Sequence, residues 1–429
     1  MIKKIMRYKL KSASNYMLTF LKWGLIAVII GLVGGGIGAM FHTSVHHANL
    51  LFSKYDKLIL LLPVGGLVIV AIYKKCRMLE NKGTDSVIAS IRSNDGVPFA
   101  LAPLIFISTV ITHLLGGSAG REGAALQLGG SIGSSIGKLF RIDKKDMHMV
   151  IMCGMSGVFS ALFGTPITAA FFALGITSIG TMYYPGIVPC MISSLTAYLI
   201  TTLVGMEPTY FPMIYTPEVS VITVLQTILI AVLCAELSII FCTVMHYTAR
   251  YMRIWFKNPY IRIFVGGLAI VALTYILGTR DYNGAGMNVI ENAVTGAYTK
   301  NWAWALKIVF TAITIGAGYK GGEIVPTFFV GATFGCVIGP LLGLAPGFAA
   351  AVGMAACFCG VANCPLASIL LSMELFGGQG MPLFALAVAV SFLCSGRCSL
   401  YTAQRLAVRK TNEPANRNMN RTVEGMDDD

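Results

Sequence analysis

Charge is scarce in this sequence. Of 429 residues only 12% are Asp, Glu, Lys or Arg, and just 19 are acidic. Soluble globular domains carry about 25% charged residues, so an ordinary soluble enzyme is excluded. Disorder is excluded as well, because it needs low hydrophobicity and this chain is 55% hydrophobic. Six histidines leave little for a metal centre. His42, His46 and His47 cluster, but no further ligands accompany them, so an interfacial helix end is expected there. Among the cysteines, Cys357, Cys359 and Cys364 form C-x-C-x4-C, and Cys394 and Cys398 form C-x3-C. Neither spacing is that of a zinc site, so reduced core thiols are expected. No metal and no cofactor is implied.

What is present is apolar sequence. Runs near 20 residues recur from end to end and predict a polytopic membrane protein. The net charge of +13 must then lie outside the lipid. It reads as charge on cytoplasmic loops rather than a nucleic-acid surface. Lys3, Lys4, Arg7, Lys9 and Lys11 precede a run from about Leu18 to Met40. That run is too long for the core of a signal peptide and no A-x-A-like site follows, which favours an uncleaved span. A second run, about Leu58 to Tyr73, ends in Lys74, Lys75 and Arg77. Arg405, Arg409, Lys410, Arg417 and Arg421 make the end basic, so both termini are expected in the cytoplasm. The expected layout is a basic N-terminus (1–17), a membrane repeat (18–215), a second, inverted repeat (216–410) and a flexible tail (411–429). No soluble regulatory domain fits in that layout.

The repeat rests on three matches about 200 residues apart, in the same order. Gly120, Gly129, Gly133 and Gly137 share the spacing of Gly322, Gly331, Gly335 and Gly339. GMSGVFSALFGTP, Gly154 to Pro166, matches GMAACFCGVANCP, Gly353 to Pro365. GTDSVI from Gly83 echoes AGMNVI from Ala285. The first span has its basic flank before it; its counterpart, about Val219 to Val244, has one after it, at Arg250, Arg253, Lys257 and Arg262. The same element therefore crosses in opposite directions, as in inverted-repeat transporters and channels.

Both glycine segments read as helix starts that follow a loop at membrane depth. Irregular backbone is tolerated there only where it lines a cavity. Free N–H groups and the positive end of a helix favour anions. Gly129, Gly133 and Gly137 lie further along and fit close helix packing. Glu122 is the acid to single out, since an ionisable residue in apolar surroundings is a functional hypothesis by default. Its carboxylate can imitate an anion at a helix N-terminus, take a proton and swing out; the bland alternative is a pair with Arg121. Glu323 relays protons or pairs with Lys320. Glu236 and Glu374 read as packing or capping groups. Thr84 offers a hydroxyl to an anion or caps its helix. Tyr401, expected to open a last basic helix, reaches a pore or joins an interfacial belt.

These residues resemble the CLC family of chloride channels and proton-coupled anion antiporters. GSAGREG, Gly117 to Gly123, resembles its G-[KR]-E-G-P signature, with Ala124 in place of the proline. GEIVP, Gly322 to Pro326, resembles G-x-F-x-P, with Ile324 for Phe; GTDSV resembles G-S-G-I-P, with Thr84 at the serine. LYTAQRL, containing Tyr401, and PLASILLSMEL, Pro365 to Leu375, also fit. The resemblance implies an all-α fold of tilted and broken helices, spanning about residues 18–410, and a homodimer with one pore per subunit in the bilayer. It implies Glu122 as the gating and proton-carrying glutamate. Thr84, Gly120, Arg121, Gly123, Gly322, Ile324, Val325 and Tyr401 would surround the anion, and Glu323 would join the proton path.

Two departures bear on the substrate. Proton-coupled chloride members carry an inner glutamate where Gly175 and Ile176 stand here. KGGE, Lys320 to Glu323, and GGSAGREG resemble the fluoride-exporting branch. That branch usually has methionine at the position of Thr84 and threonine at that of Val325. The expectation is halide/proton antiport with fluoride slightly favoured over chloride; the alternatives are chloride/proton exchange and a passive chloride channel. A membrane enzyme is remote, because no P-loop Lys-Ser pair and no H-E-x-x-H motif is present.

Overall fold

The computed structural model describes residues 2–408 and 410, apart from 94 and 298; for 2–13 and 15 it describes backbone only. The expected tail, 411–429, and Arg409 lie outside the described residues. Sixteen α-helices and two very short strands make up the described fold.

Eight helices come first: α1 (Ile2–Lys54), α2 (Leu62–Lys75), α3 (Thr84–Ser93), α4 (Leu101–Leu114), α5 (Glu122–Leu139), α6 (Met147–Phe163), α7 (Pro166–Gly175) and α8 (Ile187–Leu203). Eight more follow: α9 (Val221–Trp255), α10 (Pro259–Leu277), α11 (Met287–Val294), α12 (Ala303–Ala317), α13 (Ile324–Ile338), α14 (Pro346–Ala362), α15 (Pro365–Phe376) and α16 (Met381–Cys394). Seven helices among the described residues are long and apolar enough to cross a membrane; others, such as α4, α7 and α12, are shorter apolar pieces. Short helices at membrane depth leave helix ends inside the molecule, which a bundle of full spans does not.

The first helix departs from its expected start. Its basic residues Lys3 to Lys11 are helical and continuous with the apolar run. The cause is local: no proline and no glycine interrupts the chain before Gly24, so nothing stops the helix.

Glycine sets the closest approaches. A Cβ on Gly129 would strike the Gly154 carbonyl, and one on Gly154 would strike the Gly129 carbonyl. Gly331 and Gly353 make the same reciprocal contact between α13 and α14. The G-x3-G reading of these positions is thus correct, and one crossing is built twice. The two crossings also end alike. Gly164 closes α6 in the left-handed region at φ 70°, and Asn363 closes α14 there at φ 55°. Each is followed two residues later by a helix-opening proline, Pro166 or Pro365. After α16 the chain returns as β2 (Arg405–Leu406), which pairs in parallel with β1 (Ser178–Ile179).

Candidate anion site

Two loops meet at the centre. One joins α4 to α5 and the other joins α12 to α13. The N–H of Gly120 donates to the Gly322 carbonyl and the N–H of Gly322 donates to the Gly120 carbonyl, both at 2.7 Å. This is an isolated antiparallel bridge between the two matching glycines. Only glycine fits: a Cβ on Gly322 would press on the backbone of Gly123. The bridge sets the starts of α5 and α13 side by side, with the first-turn N–H groups of Gly123, Ile324 and Val325 unclaimed by their own helices.

Side chains from α12 brace the first loop. Ser118 donates its N–H to Thr314 Oγ1 at 3.1 Å, and its hydroxyl meets Thr311 Oγ1 at 3.1 Å. Lys307, fully buried, donates to the carbonyls of Tyr282 (3.1 Å) and Gly284 (2.7 Å). Gly284 in turn donates its N–H to the Gly117 carbonyl at 3.1 Å. These bonds hold the 282–284 turn against the first loop.

Glu122 is buried at the first residue of α5, and its carboxylate folds back over the helix start. Oε2 accepts the Arg121 N–H at 2.9 Å. Oε1 lies 3.5 Å from Arg121 Nε, and Arg121 Nη2 reaches the Leu162 carbonyl at 3.4 Å. The carboxylate therefore lies over the start of its own helix and is also paired with its neighbour Arg121. Glu323 is the N-cap residue of α13, one residue out of step with Glu122. Its carboxylate also turns onto its own N–H, beside Gly123. Lys320 lies 4.6 Å from the Tyr73 ring centroid, and no ion pair joins it to Glu323 among the described residues.

Thr84 opens α3 and is buried; its hydroxyl donates to the Gly123 carbonyl at 3.3 Å. It is brought to the site together with Gly120, Arg121, Gly123, Gly322, Ile324 and Val325. Tyr401 is buried too, and its hydroxyl has no hydrogen-bond partner. The last-helix expectation for Tyr401 is wrong. Residues 400–404 form turns leading into β2, fixed by the backbone N–H of Leu400 on the Val361 carbonyl and that of Arg405 on the Thr177 carbonyl. Those tertiary bonds claim the backbone that a helix would have used.

Three site residues escaped the sequence reading. Gln127, one turn after Gly123, sends Nε2 to Thr84 Oγ1 at 3.4 Å. Asp85 accepts from Thr402 Oγ1 at 2.8 Å and from the Ala403 N–H at 3.1 Å, tying α3 to the Tyr401 segment. His113, at the end of α4, contacts the Gly120 carbonyl. The one available signal was the helical spacing of Gln127 from Gly123. Glu374 lies elsewhere: it caps α7 through the N–H groups of Ile167 (2.9 Å) and Thr168 (2.8 Å), in keeping with a capping role. Glu236, on α9, is exposed, which does not support a packing role.

Known proteins share this arrangement. A family profile described as "Voltage gated chloride channel" matches residues 65–396. A chloride/fluoride channel protein of Pseudomonas syringae pv. tomato is 33% identical over 400 residues, 92% of this chain and 88% of that protein. The H(+)/Cl(-) exchange transporter ClcA of Vibrio campbellii is 24% identical over 392 residues, 82% of this chain and 81% of that protein. The crystal structure of a CLC-type fluoride/proton antiporter superposes with a TM-score of 0.87 at 31% identity, covering 90% of this chain and 98% of that one. A slow cyanobacterial Cl-/H+ antiporter shares the fold, with a TM-score of 0.71 at 17% identity, covering 87% and 94%. With paired helix starts, a carboxylate seated on one of them and this degree of kinship, the chain belongs to the CLC family and is a CLC-type membrane anion transporter.

Proposed function

We propose that this protein exchanges a halide for protons across the membrane, with fluoride favoured over chloride. The observation that carries the reading is the position of Glu122: its carboxylate lies over the α5 start, held by the Arg121 N–H at 2.9 Å. A carboxylate and a halide compete for the same electropositive end. Protonation removes the charge that holds Glu122 there, so the proton that releases it and the anion that replaces it move in exchange. The unpartnered Tyr401 hydroxyl supplies a donor for a small anion, the first-turn N–H groups of Gly123, Ile324 and Val325 supply others, and Thr84, Arg121, Gly120 and Gly322 complete the surroundings, the two glycines through the bridge that sets the helix starts side by side. Glu323 extends the proton path on the side of Gly123. Fluoride is favoured because 33% and 31% identity tie the chain to a chloride/fluoride channel protein and to a fluoride/proton antiporter. The chloride reading keeps support from the chloride/proton exchangers, at 24% identity. The division near residue 215, a cytoplasmic location of both termini and a homodimer in the lipid bilayer belong to the same proposal.

Purified protein in liposomes, followed with fluoride, chloride and pH electrodes, tests it. Halide efflux with proton uptake is expected, faster for fluoride, and Glu122→Gln should abolish the proton movement. Halide flux without proton flux would sink the antiport reading; unchanged fluxes in Glu122→Gln would sink the gating role.

A further inference from the structure

His113 touches the Gly120 carbonyl but has no role in the exchange as described so far, and it is fully buried. It sits in the last turn of α4, with Nε2 3.3 Å from the Gly120 carbonyl and Nδ1 3.2 Å from Asn49 Oδ1 on α1. A carbonyl oxygen only accepts, so Nε2 carries the hydrogen and donates; Nδ1 then accepts, and the Asn49 amide must present its NH2 rather than Oδ1 to it. The same carbonyl also accepts the Gly322 N–H of the bridge. The Gly120 carbonyl and the Arg121 N–H belong to one peptide group, and that N–H donates to Glu122 Oε2. One amide plane thus joins the imidazole on one side to the carboxylate on the other. Donation to a peptide carbonyl polarises the amide and strengthens its N–H as a donor.

We propose that His113 is a positioning residue for the gate: through the Gly120–Arg121 peptide it strengthens the hydrogen bond that seats the Glu122 carboxylate on the α5 start. The proposal rests on the gating role of Glu122 given above. Loss of the imidazole weakens the seat, so anions pass more often without a proton. The effect is energetic and passes through a single peptide. His113 itself touches no anion.

The test measures proton-independent halide leak in liposomes for His113→Leu, His113→Gln and His113→Asn, each in the parent and in Glu122→Ala. Leu offers no donor, Gln reaches the Gly120 carbonyl, and Asn is a methylene shorter. Weakening the seating bond by a fraction of one hydrogen bond raises the leak up to about twofold in His113→Leu and His113→Asn, while His113→Gln stays near the parent. In the Glu122→Ala background, where no carboxylate remains to be seated, the three variants leak alike. If His113→Leu folds poorly, the Gln and Asn pair still decides. Equal fold-changes in both backgrounds, or a Gln variant as leaky as Asn, would overturn the proposal by showing that His113 only packs. An unchanged leak in Glu122→Ala alone would instead overturn the gating role of Glu122.

Discussion

Gly120 and Gly322 exchange both of their backbone hydrogen bonds, each at 2.7 Å, although 202 positions separate them in the numbering. They are the matching glycines of the two glycine segments. A contact between matching residues of two inverted halves marks the place where the halves are related to each other. The starts of α5 and α13 are therefore fixed to one another through the backbone.

Alanine at the two positions separates folding from gating. A Cβ on Gly322 collides with the Gly123 backbone, which cannot yield. Gly322→Ala should cost about 1–3 kcal/mol by overpacking, seen as a lower thermal midpoint and loss of transport. A Cβ on Gly120 would lie 2.6 Å from Glu122 Oε2, the end of a movable side chain. Gly120→Ala should therefore keep more of its stability and raise anion leak, because the carboxylate yields.

Tyr401→Phe should move stability and function in opposite directions. A buried hydroxyl without a partner costs about 1–3 kcal/mol, and the Tyr401 hydroxyl is one. Its removal should raise the thermal midpoint of halide-free protein. The same change should shrink the additional stabilisation by fluoride or chloride. Intrinsic fluorescence on heating, with and without halide, reads both; a midpoint that falls in both conditions would contradict the assignment.

The first and second halves differ at one cap. Glu374, on the ninth residue after Pro365, accepts two N–H groups at the start of α7. Gly175, on the ninth residue after Pro166, lies beside Cys364 at the start of α15 and contributes no side chain. Glu374→Ala should destabilise by about 2 kcal/mol through the lost cap, with halide preference unchanged. Gly175→Ala should fold, because its Cβ meets only Cys364 Sγ at an ordinary 3.5 Å. Replacing a helical glycine should raise stability by roughly 0.5–1 kcal/mol. Chemical denaturation in detergent measures both.

Much of the site was legible because its signals are local. The G-x3-G spacing announced the Gly129 and Gly154 crossing, and Glu122 stood out as an acid among glycines and apolar residues. Thr84 was legible as the opening of a short polar helix. His113, Asp85 and Asn49 were not, since each finds its partner through folding rather than through a pattern in its own segment. Nothing in the residues around Asp85 points to Thr402 and Ala403, more than 300 positions away. Tyr401 was recognised but given a helix it does not form, because its segment spends its hydrogen bonds on α14 and β1. Glu374 was read as a packing or capping group from its surroundings, while the helix it caps lies 207 residues earlier.

The Gly120–Gly322 bridge also constrains time. Rigid-body movements of domains take microseconds to milliseconds, whereas side-chain rotations are far faster, from picoseconds to nanoseconds when exposed. Two helix starts stitched together cannot part without breaking both bonds, so the moving part at this point is a side chain. Temperature should then affect turnover through one carboxylate rather than through the melting of packed helices. Joining α5 to α13 by an engineered crosslink away from the glycines should leave the transport rate close to that of the uncrosslinked protein.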